Sequence, residues 1–518
     1  MMTMNQYFYH IIVPNNNTVR VRKLTPQLAE DKVTGKLDFS QIKNKITKII
    51  KAPDNLDDYW ESEQITNLVI AQINDKIREI IEASDNLESQ QITKVGEALF
   101  ETLFDSQLRE DFLAYYQEIV KQKQQNLAVI LEAIPELAAY PWELMCLPEQ
   151  YNQGEIYFAT DRKLSFYRCR YQSQEIDKLS IQINKNEQLK IALVVSIPTA
   201  DPQLSDDVEY QEVKQYLKQV DSEKEQVKFL PVMDSLDFYE IVERLETDKP
   251  DIFHFIGHGQ LIEKDGEEVG QIAFVGEFGK ADWKDAKTFV RLFNSHKPKI
   301  VILQACETGK QSQTNAFSSV ASRLILQRIP VVIAMQYKVS NLTAVSFVKE
   351  FYSRIVKGDS VEMAVQKARF KLSIENGYDK RYFATPVIFM AVQDGHLFES
   401  ATSANEETKD LNLSNSESEK TKGLSVFDID TLVDILIRSG RVNTLSSRRS
   451  LCISIQVNPS DIGFIENVAS RDFAEQLIYF LDQNKKFSEL FKLCEKIANN
   501  ASGFRAELNS IQNKLNCN

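Results

Sequence analysis

The sequence predicts an α/β fold, a mainly parallel sheet flanked by helices, followed by a small all-helical domain. Three observations lead there. Between residues 186 and 398, apolar runs of strand length alternate with segments whose apolar residues recur at helical spacing. A polar stretch over 399–423 then interrupts the pattern. Beyond it, 424–518 reads as helical periodicity.

Taken in order, Tyr7–Val13 and Thr18–Leu24 predict a hairpin around Asn15-Asn16-Asn17. Residues 60–127 read as mostly helical, with helical spacing through Ile65–Ile81 and Val95–Leu108. Leu127–Ile134 reads as a strand and Pro135–Leu144 as a turn, with short strands at Phe158–Ala159 and Leu164–Arg170. The central strand runs are Leu189–Ile197, Val227–Val232, Asp251–Ile256, Ile300–Leu303, Val331–Met335 and Val387–Met390. Helical patterns at Glu209–Val220, Ala316–Arg328 and Thr343–Val356 fall between them. Gly270–Gly279 predicts an inserted hairpin punctuated by Gly276 and Gly279.

In 399–423 the only large apolar residues are Leu411 and Leu413, too few to offset the entropy of ordering, so this stretch reads as a flexible linker. Phe427–Ser439 carries an apolar stripe at Ile429, Leu432, Val433, Leu436 and Ile437, with Gly440 placed as a C-cap. Asp472–Leu481 and Phe487–Ile497 repeat the pattern.

A chain of 518 residues is too long for one core and should hold two or three domains. With 43% apolar and 26% charged residues, the composition is that of a soluble protein. A net charge of −13 argues against nucleic acid and anionic membranes as partners. The N-terminus lacks a signal-peptide pattern, and no apolar run approaches the roughly 18 residues of a membrane span. Cysteines 146, 169, 306, 452, 494 and 517 are scattered, the usage of a reducing cytosol, so a cytoplasmic location is expected. No CxxC pair or cysteine–histidine cluster has zinc spacing, so neither a metal nor another cofactor is expected.

Two segments carry the chemistry. Phe253-His254-Phe255-Ile256-Gly257-His258-Gly259 and Ile302-Leu303-Gln304-Ala305-Cys306-Glu307-Thr308-Gly309 each read as a buried strand running out into a loop. At those exits stand His258 and Cys306, 48 residues apart. An imidazole and a thiol at one edge of a parallel sheet make a base and a nucleophile, the chemistry of a cysteine peptidase. Glycines on both sides of His258 leave room for a peptide backbone. The N–H groups of Gly259 and Cys306 would form an oxyanion hole. The plain alternative for Cys306 is a buried structural thiol, against which the neighbouring Gly-His-Gly weighs.

His254 has zinc spacing to His258 only if the segment were helical. On a strand it reads as a hydrogen-bonded core or supporting histidine. His10, His296 and His396 have no motif and are expected at the surface. Trp142 reads as a core anchor and Glu143 as a paired structural acid. No GxSxG elbow or GxxxxGK[ST] loop is present, which disfavours serine hydrolysis and P-loop chemistry.

Residues 95–400 resemble CHAT-domain proteins, caspase-like peptidases of the caspase–hemoglobinase fold clan. Carrying the resemblance, in order, are Leu137–Leu144 (LAAYPWEL), Leu189–Pro198 (LKIALVVSIP), Phe253–Gly259 (FHFIGHG), Leu303–Gly309 (LQACETG), Val331–Tyr337 (VVIAMQY) and Ala384–Phe389 (ATPVIF). The resemblance implies a caspase-like sheet with His258 and Cys306 as the dyad, preceded by a degenerate caspase-like half without one. Gln304-Ala305-Cys306 is similar to the caspase QAC signature, but Glu307 departs from it, so aspartate preference does not carry over. The strand after the cysteine strand leads into the cleft in that fold, which places Gln336, Tyr337 and Ser340 there. His254, Gln304 and Glu307 complete the expected cleft. The C-terminal unit, through Thr431–Leu436, Ser447-Arg448-Arg449, Asp472–Leu481 and Leu490–Cys494, resembles the effector-associated, death-domain-like modules of bacterial conflict systems. A plain helical cap is the alternative.

The expected organisation is thus a pseudo-caspase-like region over 1–185, a catalytic CHAT domain over 186–398, the linker 399–423 and a helical module over 424–518. The resemblance implies a cytoplasmic endopeptidase acting in defence or regulated cell death on a protein substrate. A sensor or adaptor would bind it through 424–518, with oligomerisation on activation. A non-catalytic scaffold is the rival reading, and cleavage within the linker is a further expectation.

Overall fold

The computed structural model describes residues 7–24, 31–38, 74, 77, 81, 91–152, 155–170, 180–184, 187–200, 210–223, 225–264, 267–305, 314–337, 341–378, 380–392 and 394–398 of a first compact unit, Met1–Asn405. In a second unit, Glu406–Asn518, it describes 432–433, 435–437, 439–459, 470, 473–474, 477–478, 481, 486–498, 508 and 511–512. The expected linker at 399–423, most of Ile65–Ile81 and parts of Phe427–Ser439 and Asp472–Leu481 lie outside the described residues.

The first unit opens with the hairpin β1 (Tyr7–Asn15) and β2 (Thr18–Leu24), then β3 (Asp31–Lys36). Next come helices α1 (Gln91–Leu103) and α2 (Ser106–Tyr116), β4 (Leu127–Ala133), the short pair β5 (Cys146–Leu147) and β6 (Ile156–Tyr157), and β7 (Leu164–Arg170). The alternating part follows as β8 (Leu189–Ser196), α3 (Tyr210–Glu223), β9 (Val227–Phe229), β10 (Met233–Asp234), α4 (Phe238–Asp248) and β11 (Ile252–Gly257). After it come β12 (Gly259–Lys264), β13 (Glu267–Val275), β14 (Ala281–Asp285), β15 (Ile300–Ala305), α5 (Thr314–Leu326), β16 (Val331–Met335), α6 (Asn341–Val356), α7 (Val361–Asn376) and β17 (Pro386–Met390).

Twelve of these strands form one sheet, ordered β10-β8-β11-β15-β16-β17-β7-β4-β1-β2-β3 with β9 also on β8. Strands β8, β11, β15 and β16 are mutually parallel. β17 is antiparallel to β16 but parallel to β7, and β7, β4 and β1 are parallel to one another. Two sets of parallel strands therefore run in opposite directions, and their carboxyl ends lie at opposite edges of the sheet. The strands on either side of residue 185, β7 and β8, belong to this same sheet.

Burial on both faces explains why the central strands read as continuous apolar runs. β4, β8, β11, β16 and β17 are buried almost throughout. On one side of β1, Tyr9 contacts the rings of Phe104 and Phe112, and Phe104 stacks on Phe100 at 4.5 Å between centroids. Such ring pairs add about 0.5–1.5 kcal/mol each beyond their buried area. α4 begins with a capping box, Asp237 accepting from the Glu240 N–H and Glu240 from the Asp237 N–H.

Two expectations need correction. The insertion is a three-stranded antiparallel sheet, β12-β13-β14, and not a hairpin confined to Gly270–Gly279. Gly276 and Gly279 fall in the turn between its last two strands. His10, expected at the surface, is 4% exposed and pairs with Glu132 at 2.9 Å, because both faces of β1 are covered.

In the second unit, α8 (Leu445–Ser454) starts at a Thr444 cap and α9 spans Phe487–Ala498. Gly440 is left-handed at φ +70, the conformation that glycine adopts at helix ends without penalty. Leu432, Val433, Leu436, Leu477, Leu490 and Leu493 are buried here.

Candidate active site

The chain leaves β8 to one side, through β9 and β10, and returns on the other as β11. That reversal of strand order makes a crevice outside the carboxyl ends of β8 and β11, where ligands bind in open α/β sheets. Gly257 is the last residue of β11 and pairs with Ser196, the last of β8. A Cβ at Gly257 would lie 2.7 Å from Phe255 Cε1 and 2.9 Å from the Ser196 carbonyl oxygen, so the close strand approach requires glycine.

β11 and β15 are adjacent and in register. Ile256 pairs with Gln304, and Gly257 with Ala305. His258 is thus the next residue beyond one strand, and Cys306 is next in sequence beyond its neighbour. Adjacent strands lie about 4.8 Å apart. His258 is 1% exposed, and its carbonyl accepts from the Ala273 N–H at 2.9 Å, which ties it to β13. Gly259 is buried and opens β12 opposite Ile272. Cys306, Glu307 and Ser340 lie outside the described residues.

The described thiols are poor candidates for a resting nucleophile. Burial raises Cys169, Cys452 to about 11 and Cys494 to about 12, with Glu132 adding to the rise at Cys169. Cys146 is fully buried.

His254 is fully buried, on the strand that leads to His258. Tyr352 donates its hydroxyl to Nδ1 at 3.2 Å, and Nε2–H donates to Gln304 Oε1 at 3.1 Å. Burial pushes the imidazole down to about 4, against a small opposing effect of the Gln304 bond, so it stays neutral at pH 7. His254 therefore links β11 to β15 and α6, and its side chain does not face a cleft. Gln304, 5% exposed, is the other half of that link.

Gln336 is also turned inward. Its amide donates to Glu143 Oε2 at 3.0 Å and to the Ala384 carbonyl at 2.6 Å. Arg168 grips the same carboxylate through Nε at 2.9 Å and through a short bond from Nη2, while also donating to the Ala138 and Tyr140 carbonyls. Arg369 approaches Glu143 at 3.7 Å and donates to the Phe166 and Pro386 carbonyls, both at 2.8 Å. Burial lowers Arg369 to about 10, and Glu143 opposes the drop. Glu143 is thus the paired structural acid the sequence suggested, beside a fully buried Trp142 whose indole donates to the Leu137 carbonyl at 2.6 Å. The cluster fastens the end of β16 to β7, α7 and β17. Gln336 and Tyr337 border a small, partly open pocket also lined by Asn74, Ile77, Ile81, Ala139 and Pro141.

Sequence reasoning missed the Arg168 and Arg369 arms of this cluster. For Arg168 the available signal was a single charged residue within an apolar stretch, Leu164–Arg168, whereas Arg369 shares Met363–Phe370 with Lys367 and carries no such signal.

Among the described residues, no helix is long and apolar enough to cross a membrane. No curated protein matches the chain. Among solved structures, the Saccharomyces cerevisiae separase–securin complex is similar at 13% identity and a TM-score of 0.37, covering 75% of this chain and 30% of that one. The chain thus spans under a third of that relative's length. The Arg-specific cysteine proteinase gingipain R is similar at 12% identity and a TM-score of 0.34, covering 62% of this chain and 74% of that one. A CHAT domain model matches residues 93–402, more than half the sequence, and the chain belongs to the CHAT domain family.

Proposed function

We propose that the chain is a caspase-like cysteine endopeptidase with Cys306 as nucleophile and His258 as base. The observation that carries this reading is the register of β11 on β15, which ends two adjacent parallel strands side by side at Gly257 and Ala305. His258 takes the Cys306 proton, and the thiolate attacks the scissile carbonyl carbon. The N–H groups of Gly259 and Cys306 receive the oxyanion. The tetrahedral adduct collapses, His258 protonates the leaving amine, and water then hydrolyses the thioester to restore the thiol. His254 and Gln304 support the two strands from below without touching substrate. Gln336 holds the end of β16, and Tyr337, Glu307 and Ser340 remain as the cleft residues of this reading.

The near-complete burial of His258 fits an enzyme that must be opened before it works. The resemblance of 424–518 to effector-associated modules supports a sensor or adaptor as the opening signal and a role in bacterial defence or regulated cell death. Oligomerisation on activation, cleavage within 399–423 and a cytoplasmic site of action belong to the same proposal. The burial of His258 also favours one rival, a CHAT scaffold that acts by binding alone.

The test is N-terminal labelling of new peptide termini in cells expressing the wild type, Cys306→Ala or His258→Ala with the activating partner. Termini found with the wild type and missing with both variants support the peptidase. An unchanged phenotype with both variants establishes the scaffold.

A further inference from the structure

We propose that His10, Glu132 and Cys169 form a binding site for a zinc-class divalent cation. The site is separate from the dyad. The three residues come from β1, β4 and β7, three adjacent parallel strands. Glu132 is in register with Cys169, and His10 pairs with Ile130, two residues before Glu132, so all three side chains leave the same face of the sheet.

Their ligand atoms converge. His10 Nε2 lies 2.9 Å from Glu132 Oε2 and 3.6 Å from Cys169 Sγ, and Cys169 Sγ lies 3.8 Å from Glu132 Oε2. A tetrahedral zinc ion with bonds of about 2.0–2.3 Å needs ligand atoms roughly 3.3–3.6 Å apart. Shifts of a few tenths of an ångström would complete the triangle.

The same geometry excludes a second catalytic triad. In a triad the acid orients one ring nitrogen while the nucleophile meets the other. Here the carboxylate and the thiol both approach Nε2 of His10. Three donors aimed at one point, and not in series, make a coordination sphere.

The donor set selects the metal. One imidazole, one thiol and one carboxylate suit zinc and poorly suit calcium or magnesium, which take oxygen ligands. His10 and Glu132 are buried, while Cys169 is half-buried, so the ion and a water as fourth ligand would enter from the thiol side. Binding would replace the Cys169 thiol proton, which leaves to solvent, and would tie β1, β4 and β7 together.

The experiment uses the full chain carrying Cys306→Ala, so that the proposed nucleophile cannot bind metal. The protein is equilibrated with Zn2+, gel-filtered and assayed for zinc per chain, and its Co2+ form is examined for thiolate-to-cobalt charge transfer. The expected result is one equivalent of zinc lost, and the charge-transfer band abolished, on adding Cys169→Ser, with the same zinc loss on adding His10→Gln. Thermal midpoint should rise with Zn2+ in the parent and not in either variant. A parent that binds no zinc, or Cys169→Ser protein that keeps the full zinc content and the cobalt band, overturns the proposal. The parent's own zinc content and cobalt band decide the matter even if a variant fails to fold. None of these readouts involves peptide cleavage, so they stand or fall apart from the peptidase reading.

Discussion

The two sets of parallel strands in the central sheet handle polar residues differently. In the set β8, β11, β15 and β16, the buried polar side chains His254, three residues before the end of β11, and Gln304, one before the end of β15, bond to each other and brace those ends. The residues that follow those ends in the sequence, His258 and Cys306, are the proposed dyad. In the set β7, β4 and β1, running the other way, His10, Glu132 and Cys169 face one another across three neighbouring strands, with their ligand atoms gathered at one point. Chemistry at a strand end can meet a substrate in the crevice. Polar groups inside strands are held by neighbouring strands and suit an ion. Glu143, with Arg168, Arg369 and Gln336, joins the two sets where the direction changes.

The sharpest way to break this contrast is at the strand end. His258→Ala should lower cleavage by about 10²–10⁴-fold, the usual contribution of a positioned general base, in protein that still folds by circular dichroism. Cleavage within threefold of wild type would remove His258 from the chemistry.

The junction should give the largest stability effect. Glu143→Ala leaves two guanidinium groups buried beside an empty site and should cost about 3–5 kcal/mol in urea unfolding. A cost under about 1 kcal/mol would mean the two strand sets are joined without it.

The brace predicts a pH dependence. His254 is held near 4 in the folded chain and rises toward 6.5 when unfolded, so the unfolded state binds the extra proton between those values. Its stabilisation is full above about pH 6.5 and is lost as pH falls toward 4, on the order of 3 kcal/mol in all. His254→Gln should flatten the stability profile in that window. An unaltered slope would place the titration elsewhere.

Smaller effects sharpen the local claims. Gly257→Ala forces a Cβ against Phe255 and the Ser196 carbonyl and should cost about 1–3 kcal/mol in chemical denaturation. Asp237→Ala removes the α4 cap and should cost about 1 kcal/mol by the same measurement.

Much of this was legible in the sequence, for identifiable reasons. β8, β11, β15 and β16 sit in the middle of the sheet, so each reads as a nearly continuous apolar run, and Ser196, Gly257 and Ala305 mark the ends of three of them. Glu143 was legible as a structural acid because it sits in an aromatic, apolar turn. The partners of these residues were not legible. Arg369 is 226 residues from Glu143, and His10 is 159 from Cys169, and spacing carries no information across such gaps. The cleft assignment of His254 and Gln336 failed to foresee that each would be spent on a neighbouring strand or turn. The sequence signal for the larger insertion is Asp265-Gly266, a two-residue combination that favours hairpin turns.

The central claim is that a thiol beyond β15 is activated by the histidine beyond β11. Labelling the partner-activated full chain with a peptidyl electrophile, followed by peptide mass mapping, tests it most directly. The account predicts a single adduct at Cys306 that falls sharply in His258→Ala. An adduct spread over Cys146, Cys169, Cys452 and Cys494, or one at Cys306 indifferent to His258, would contradict it.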